Sequence, residues 1–322
     1  MSVPTVAAVI VNWNSKDDVL AGVASLLADD PSLPIVVVDN GSVDGSVEAL
    51  RERFPGVDVL ATGENLGFAE GCNRGILRTD AEWVYLFNND AVSQPGALRA
   101  LRAAAAAAPG DVGMIQPCIV FTKHPDKVNS SGVVVFTNGS ARDRHFGEPV
   151  DAAREPSEPF CTTAGAALYR REMLDQVRMD SGYLDRSFFM YYEDVDLGWR
   201  CRLGGWRAMY VPDAVVRHKF RGSSGRRGAS FVTVQCKVNR IAMLLKLASP
   251  GMLLRSAPKT AWDVAKISAT GGLRPLLSLA ARLPSTLRER RAVHARAEID
   301  AARLERRWIH LRERQNPAPK ID

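Results

Sequence analysis

Short apolar runs that end abruptly in polar or acidic residues alternate along this chain with stretches of helical period. Residues 6–11 (VAAVIV), 35–38 (IVVV) and 83–87 (WVYLF) are apolar and rich in β-branched or aromatic residues, the signature of buried strands. Val57 to Leu60 reads as a further short strand. A helix is expected from a Ser15 cap to about Leu27, because Val19, Leu20, Val23, Leu26 and Leu27 follow its period, and Pro31 and Pro34 end it. Asp44 to Phe54, Leu66 to Leu77 and Leu98 to Ala108 read as three more, the first and last stopped by Pro55-Gly56 and Pro109-Gly110. Strands alternating with helices at this spacing predict an α/β fold with a mostly parallel sheet and helices on both faces.

The pattern loosens after Val112. Residues 113–160 mix short β-like pieces with turn residues and end in the Pro- and Glu-rich EPVDAAREPSEPF, a surface loop. Regular structure resumes at Thr162. From about Val232 the chain turns helical and basic, and Pro284 to Arg314 reads as one long exposed helix. No internal repeat is visible. No stretch approaches 18 uncharged apolar residues and the start has no basic leader, so neither a membrane-spanning helix nor a signal peptide is expected.

Three acidic motifs each follow an apolar run: VVVDNGS at 36–42, YLFNND at 85–90 and FFMYYEDVDLGWR at 188–200. Carboxylates just past strand ends sit where open α/β sheets bind ligands. Asp39 can accept from a base N–H or a ribose hydroxyl, or can simply stabilise its turn. Asp90 can hold a divalent cation, or can form an Asx-turn. Glu193 and Asp194 diverge by about 100° on a helix, so one can face a cleft while the other supports it. Acids beside aromatic residues have raised pKa values suited to general-base work. Gly67, Gly71 and Gly75 lie four apart on one helix face, and each costs about 1 kcal/mol relative to Ala. Another backbone or a diphosphate must pass close to offset that. GxGxxG is absent after the first strand, which counts against a dehydrogenase, and a nucleotidyltransferase should carry a glycine-rich N-terminal loop that is also absent.

Composition adds an asymmetry. The net charge is +6, yet from Ala214 to Trp262 there is no acid and ten of the 42 Lys and Arg residues, leaving 32 against 36 acids elsewhere. Such a block predicts an anionic partner: a diphosphate, an anionic lipid surface or, least well supported for want of interleaved aromatics, nucleic acid. Within it, Val232 to Leu254 mixes Lys237, Arg240 and Lys246 with eight Ile, Leu and Met residues, as a peripheral membrane helix would. Five dispersed cysteines without a CxxC pair predict buried thiols in a reducing cytosol.

In this order the motifs resemble the family 2 glycosyltransferases of GT-A fold, and within them the bacterial rhamnosyltransferase branch. The matching stretches are VIVNWNS, VVVDNGSVDGS, ENLGFAEGCNRGI, YLFNNDA, TTAGAALYRREM, FFMYYEDVDLGWRCRLGGW and HKFRGSS, spanning roughly residues 5–225. The resemblance implies a GT-A catalytic domain over 1–231, with a nucleotide-binding half at about 1–110 and an acceptor half at about 111–231, followed by a helical basic extension over 232–322. It implies inverting transfer of a sugar, best matched by L-rhamnose from dTDP-rhamnose, to a polyprenyl-diphosphate-linked glycan at the inner face of the cytoplasmic membrane. Asp39 would contact the nucleoside, with Asn12, Asn14, Asn40, Gly41, Asn65, Gly67, Asn73 and Asn89 on the donor side. Asp90 and His218 would hold Mg²⁺ or Mn²⁺, Asp194 would be the general base and Glu193 its support. Gly165 and Ala166 would lie beside the acceptor, and Arg217, Lys219 and Arg221 could clamp a diphosphate. Asn88-Asn89-Asp90 keeps only one carboxylate of a DXD-type motif. A UDP-sugar transferase of the same family and a silent sugar- or lipid-binding protein of the same fold stay open.

Overall fold

The computed structural model describes residues 4–219 and 228–309. Its centre is a nine-stranded sheet. Strands β1 (Val6–Asn12), β2 (Ile35–Asp39), β3 (Asp58–Ala61) and β4 (Trp83–Phe87) pair in parallel, in the order β3-β2-β1-β4. This is the parallel half expected from the alternating pattern. Helices α1 (Lys16–Asp29), α2 (Ser46–Arg53) and α3 (Phe68–Ile76) are its crossovers. Every residue of β1 is buried, and its two faces feed different cores. Val9 and Val11 meet Cys72 and Ile76 of α3, whereas Val6, Ala8 and Ile10 meet Val19 and Val23 of α1.

Beyond β4 come β5 (Ala91–Ser93), α4 (Ala97–Ala107), β6 (Val112–Phe121), β7 (Val128–Ser130), β8 (Val133–Val135) and β9 (Ala141–Asp143). Then follow β10 (Ala166–Arg170), α5 (Arg171–Val177), α6 (Glu193–Leu203) and β11 (Arg207–His218). The sheet turns mixed here: β10 runs antiparallel between β4 and β6, while β11 is parallel to β6 and antiparallel to β5. A register shift between Val211 and Val215 lets β11 follow β6 to its last residue, which sets His218 opposite Ala91 and Phe121. The α1 start departs from the expected cap. Ser15 makes no side-chain cap bond, and Asp44 accepts the Lys16 N–H at 2.9 Å instead.

Four helices complete the described chain: α7 (Ala229–Leu247), α8 (Pro250–Gly271), α9 (Arg274–Arg296) and α10 (Ala301–Trp308). The single long helix expected over Pro284 to Arg314 is not formed. Pro284 lies inside α9, and the chain breaks before Asp300, whose carboxylate caps α10 by accepting the Arg303 N–H. The break is pinned by Glu298 and Ile299, whose N–H groups both donate to Leu203 O at the end of α6. Residues 310–314 lie outside the described residues.

The acid-free block also finds most of its partners at home. Lys237, Arg240 and Lys259 all pair with Asp263, which is fully buried; Lys219 pairs with Asp18, Arg255 with Glu305, and Lys246 with Asp185, Asp196 and Glu289. Ile241, Met243, Leu244, Leu247 and Met252 are buried against the rest of the protein, so most of the apolar side chains of 232–254 serve packing, while Leu254 is exposed. No described helix is long and apolar enough to cross a membrane.

Candidate active site

A cleft of about 440 Å³ opens over the carboxyl ends of β1 and β4, a size ordinary for small-molecule sites. Its floor is a chain of amides. Asn89 Nδ2 donates to Asn12 Oδ1 at 3.0 Å, and Asn12 Nδ2 donates to Asp39 Oδ2 at 3.0 Å. Asp39 Oδ1 accepts the Ser42 N–H at 2.8 Å, so this carboxylate is enclosed and 1% exposed. What reaches the cleft from these strand ends is Asn12 and Asn40, the latter anchored through Nδ2 to Gly67 O at 3.0 Å.

Asn65, Gly67 and Asn89 also line the cleft, while Asn14 and Gly41 shape the turn behind it. Asn14 sits at φ +48° with its Oδ1 accepting the Val43 N–H, and Gly41 at φ +74° passes Glu64 where a Cβ would sit 2.8 Å from backbone. Asn73 stands apart from the other expected donor residues. Its Nδ2 donates to Leu184 O at 2.8 Å and its Oδ1 accepts the Leu184 N–H at 2.9 Å, so the amide staples α3 to the segment before α6. The spaced glycines of α3 resolve as packing. A Cβ on Gly71 or Gly75 would lie 2.7 or 2.2 Å from Val11 or Val9 of β1. Gly67, at φ +87°, lets Phe189 approach to where a Cβ would be 2.5 Å from its ring.

At one wall Asp90 Oδ1 faces His218 Nε2 at 3.0 Å. His218 Nδ1 lies 2.9 Å from Asn129 Oδ1, an acceptor only, so Nδ1 carries a proton. That leaves Nε2 directed at Asp90. Burial opposes charge on this imidazole, but Asp90 outweighs it and raises its pKa. Among the described residues no three His, Cys, Asp or Glu side chains converge as a metal cage. An oxygen and an oriented imidazole nitrogen on one wall do fit an ion that takes few protein ligands and completes its shell with phosphate and water.

A second wall is α6 and the turn before it. Glu193 and Asp194 both line the cleft at the first turn of α6. Asp194 Oδ1 accepts the Val195 N–H at 2.8 Å and Oδ2 the Ala164 N–H at 3.2 Å. Burial raises its pKa, with these bonds opposing. Glu193 is pushed well above the carboxylate range by burial and by the Asp194 charge, and its Oε2 is buried without a hydrogen-bond partner. Phe189, Tyr191 and Tyr192 all sit at φ between +62° and +70°, an uncommon state for aromatic residues that clusters at functional sites.

Gly165 lines the cleft, whereas Ala166 is fully buried inside β10. Arg217 is exposed on β11 outside the cleft, Lys219 pairs with Asp18, and Arg221 lies outside the described residues. Several lining residues carry no local sequence signal: Asn129, Arg142, Asp143 and Cys236. Arg142 and Asp143 come from β9 in the loosely patterned middle of the chain, and only the fold brings them here.

The family model described as "Glycosyltransferase like family 2" matches residues 4–235. The chain is 34% identical over 233 residues to the N-acetylglucosaminyl-diphospho-decaprenol L-rhamnosyltransferase of Mycobacterium tuberculosis, in strains CDC 1551 / Oshkosh and ATCC 25618 / H37Rv alike; the match covers 66% of this chain and 74% of the relative. Two solved structures share the fold. The mannosyltransferase PcManGT from Pyrobaculum calidifontis, in complex with GDP-Man and Mn²⁺, has a TM-score of 0.55 at 18% identity, over 94% of this chain and 86% of that one. GalNAc-T7 with UDP, GalNAc and Mn²⁺ has a TM-score of 0.59 at 15% identity, over 76% and 48%. The motifs, the mixed sheet and these matches agree: the chain belongs to the family 2 glycosyltransferases, with a GT-A fold and a helical C-terminal region.

Proposed function

We propose that this glycosyltransferase moves L-rhamnose, with inversion, from dTDP-rhamnose to a hydroxyl of a glycan carried on polyprenyl diphosphate, at the inner face of the cytoplasmic membrane, in building cell-wall or surface polysaccharide. The rhamnosyl and lipid-linked parts rest on the likeness to the mycobacterial enzyme, whose name gives both. The single observation that carries the chemistry is the presence of two groups in the lining of one cleft: Asp194 with Glu193 on α6, and Asp90 with His218 beside the amide floor.

The donor lies over the floor, with Asn12, Asn40, Asn65, Gly67 and Asn89 as its polar contacts. Asp39 acts one step back by fixing Asn12. Asp90 and His218 hold a divalent cation, Mg²⁺ or Mn²⁺, which when bound supplies positive charge against the departing diphosphate. The acceptor enters beside Gly165. Asp194 takes the proton of its attacking hydroxyl; the two backbone N–H bonds hold this carboxylate in place while burial keeps it basic. Burial and the Asp194 charge both disfavour ionisation of Glu193 beside it.

Turnover and donor binding of Asp194→Asn test this reading together. A general base contributes roughly 10²–10⁴-fold to rate, so transfer should fall by that much while calorimetric affinity for the nucleoside diphosphate stays nearly unchanged. An Asn variant that retains more than about a tenth of wild-type turnover removes Asp194 from the base role. In Asp90→Ala, the Mn²⁺ enhancement of nucleoside diphosphate binding should vanish; an unchanged enhancement places the cation elsewhere.

A further inference from the structure

Seven of the nine large apolar side chains exposed among the described residues lie on or between α8 and α9. Trp262 is 59% exposed, Leu273 68% and Leu277 65%, with Leu254 and Leu287 beyond them. The buried residues of α8 (Met252, Ser256, Asp263 and Ile267) recur at helical spacing on one face, which leaves Leu254 and Trp262 on the solvent side of that helix. Exposed apolar residues gathered on one face mark an interaction surface, whereas scattered ones need no explanation.

Charge says what that surface meets. From Ala214 to Arg288 the chain has a single acid, Asp263, and it is fully buried beneath Lys237, Arg240 and Lys259. The outer face of α8 and of α9 as far as Arg288 therefore shows solvent no carboxylate. It does show Lys266, whose ammonium lies 5.0 Å from the Trp262 ring centre, and Arg274 at the turn. An apolar stripe with an amphipathic Trp and flanking cations, and no acid, is complementary to an anionic headgroup layer.

Position agrees. Gly271, at the turn between the helices, packs on Val234, where a Cβ would lie 3.1 Å from the Val234 side chain, and the neighbouring Val232 and Cys236 of α7 line the cleft. The turn that carries Leu273 thus packs against α7, the helix whose other face lines the cleft through Val232 and Cys236. We propose that this face seats the enzyme on an anionic lipid bilayer, with Trp262, Leu273 and Leu277 among the headgroups and Lys266 and Arg274 on their phosphates. The proposal deepens the reading of a lipid-linked acceptor: the protein lies on the membrane that carries its substrate.

Co-sedimentation of the full chain with vesicles tests it. Binding should appear with mixed phosphatidylcholine and phosphatidylglycerol, not with phosphatidylcholine alone, and should weaken as salt rises. Combining W262S, L273S and L277S should weaken it at least about tenfold. Combining K266E and R274E should weaken it roughly fivefold per residue at low salt; this pair decides the matter if the apolar variant fails to fold. Failure of wild type to pellet with the anionic vesicles at low salt overturns the proposal, as does wild-type binding by both folded variants. A wild-type dimer that the variants convert to monomer also overturns it, by assigning the face to a second copy. Nucleoside diphosphate binding is measured on the same samples. If it is intact while vesicle binding is absent, only this proposal fails; if it is missing from wild type, the transferase reading fails and the vesicle result stands.

Discussion

The two walls of the cleft are held in different ways. The floor at the ends of β1, β2 and β4 is braced by its own strand ends and turns: Asn89 to Asn12, Asn12 to Asp39, Asp39 to Ser42. These bonds join neutral amides, one hydroxyl-bearing turn and one carboxylate. The α6 wall is braced from the far end of the chain, and largely by charge. Lys246 of α7 sits 2.8 Å from Asp196 of α6 and 2.5 Å from Asp185 before it, with Arg200 on the other Asp196 oxygen at 2.9 Å. Asn239 Nδ2 lies within 2.9 Å of three carbonyls, those of Phe188, Met190 and Tyr191, in the positive-φ turn that leads into Glu193. The match to the family ends at residue 235, so these braces lie beyond it. We infer that the C-terminal helices are the scaffold of the catalytic helix as much as an appendage to the catalytic domain.

Removing Lys246 should break this arrangement hardest. Its ammonium is 1% exposed; burial opposes its charge, but Asp196, Asp185 and Glu289 outweigh burial and raise its pKa. Lys246→Met would strand buried carboxylates, and removing one partner of such a pair costs about 3–5 kcal/mol. Thermal unfolding should show a fall of roughly 4–7 °C at this chain length. On the floor, Asn89→Ala strands only a neutral acceptor and should cost about 1–3 kcal/mol. Equal losses from the two variants would erase the contrast.

Asn239→Ala is the finer cut. It leaves the charges in place and frees the turn, so its effect should fall on positioning. Misplacement of a reacting group by about 1 Å can cost 10²-fold in rate, and kcat should drop by up to that factor. Nucleoside diphosphate affinity, set on the floor, should hold. A variant with weakened donor affinity and normal kcat would show that Asn239 serves the floor instead.

This division also explains what could be read from the chain alone. The strands of residues 6–108 stand out because the runs of β1, β2 and β4 are buried where they lie and each gives way to Asn or Asp. Asn12, Asn40 and Asp90 reach the cleft for that reason. Asp39 and Asn73 turn toward protein partners because their hydrogen bonds decide which way they face, and Leu184 lies 111 residues from Asn73. The Ala214 to Trp262 block was assigned an external anion because Asp263, the next residue but one after Ala261, falls just past its edge, and because Asp18, Asp185 and Asp196 are distant in sequence and close in space. Trp262 and Leu273 lie beyond the stretch first matched to a membrane, in helices with no motif to draw attention to them.

The smallest effect expected is in pH, and within the α6 wall it has two signs. Burial raises the Asp194 pKa, and burial with the Asp194 charge raises that of Glu193, so the two acids titrate as a coupled pair above the ordinary carboxylate range. Groups raised in the folded state stabilise it below their ordinary pKa, and that contribution is lost as pH rises through the raised one. Asp185 has the opposite sign: burial works against its charge, but Lys246 outweighs it and lowers its pKa. Its contribution is present above the ordinary carboxylate value and lost as pH falls through the lowered one. With Asp194 as the proposed base, activity needs it ionised, so kcat/KM should fall with acid at a pH above that of an ordinary Asp, at most tenfold per unit. The competing titration is Asp143, which also lines the cleft and is pushed up to about 6 by burial. In Asp143→Asn the acid limb should stay where it is in wild type. A limb that moves or disappears in that variant would transfer the titration from α6 to β9, and with it the claim that the helix wall alone sets the pH dependence.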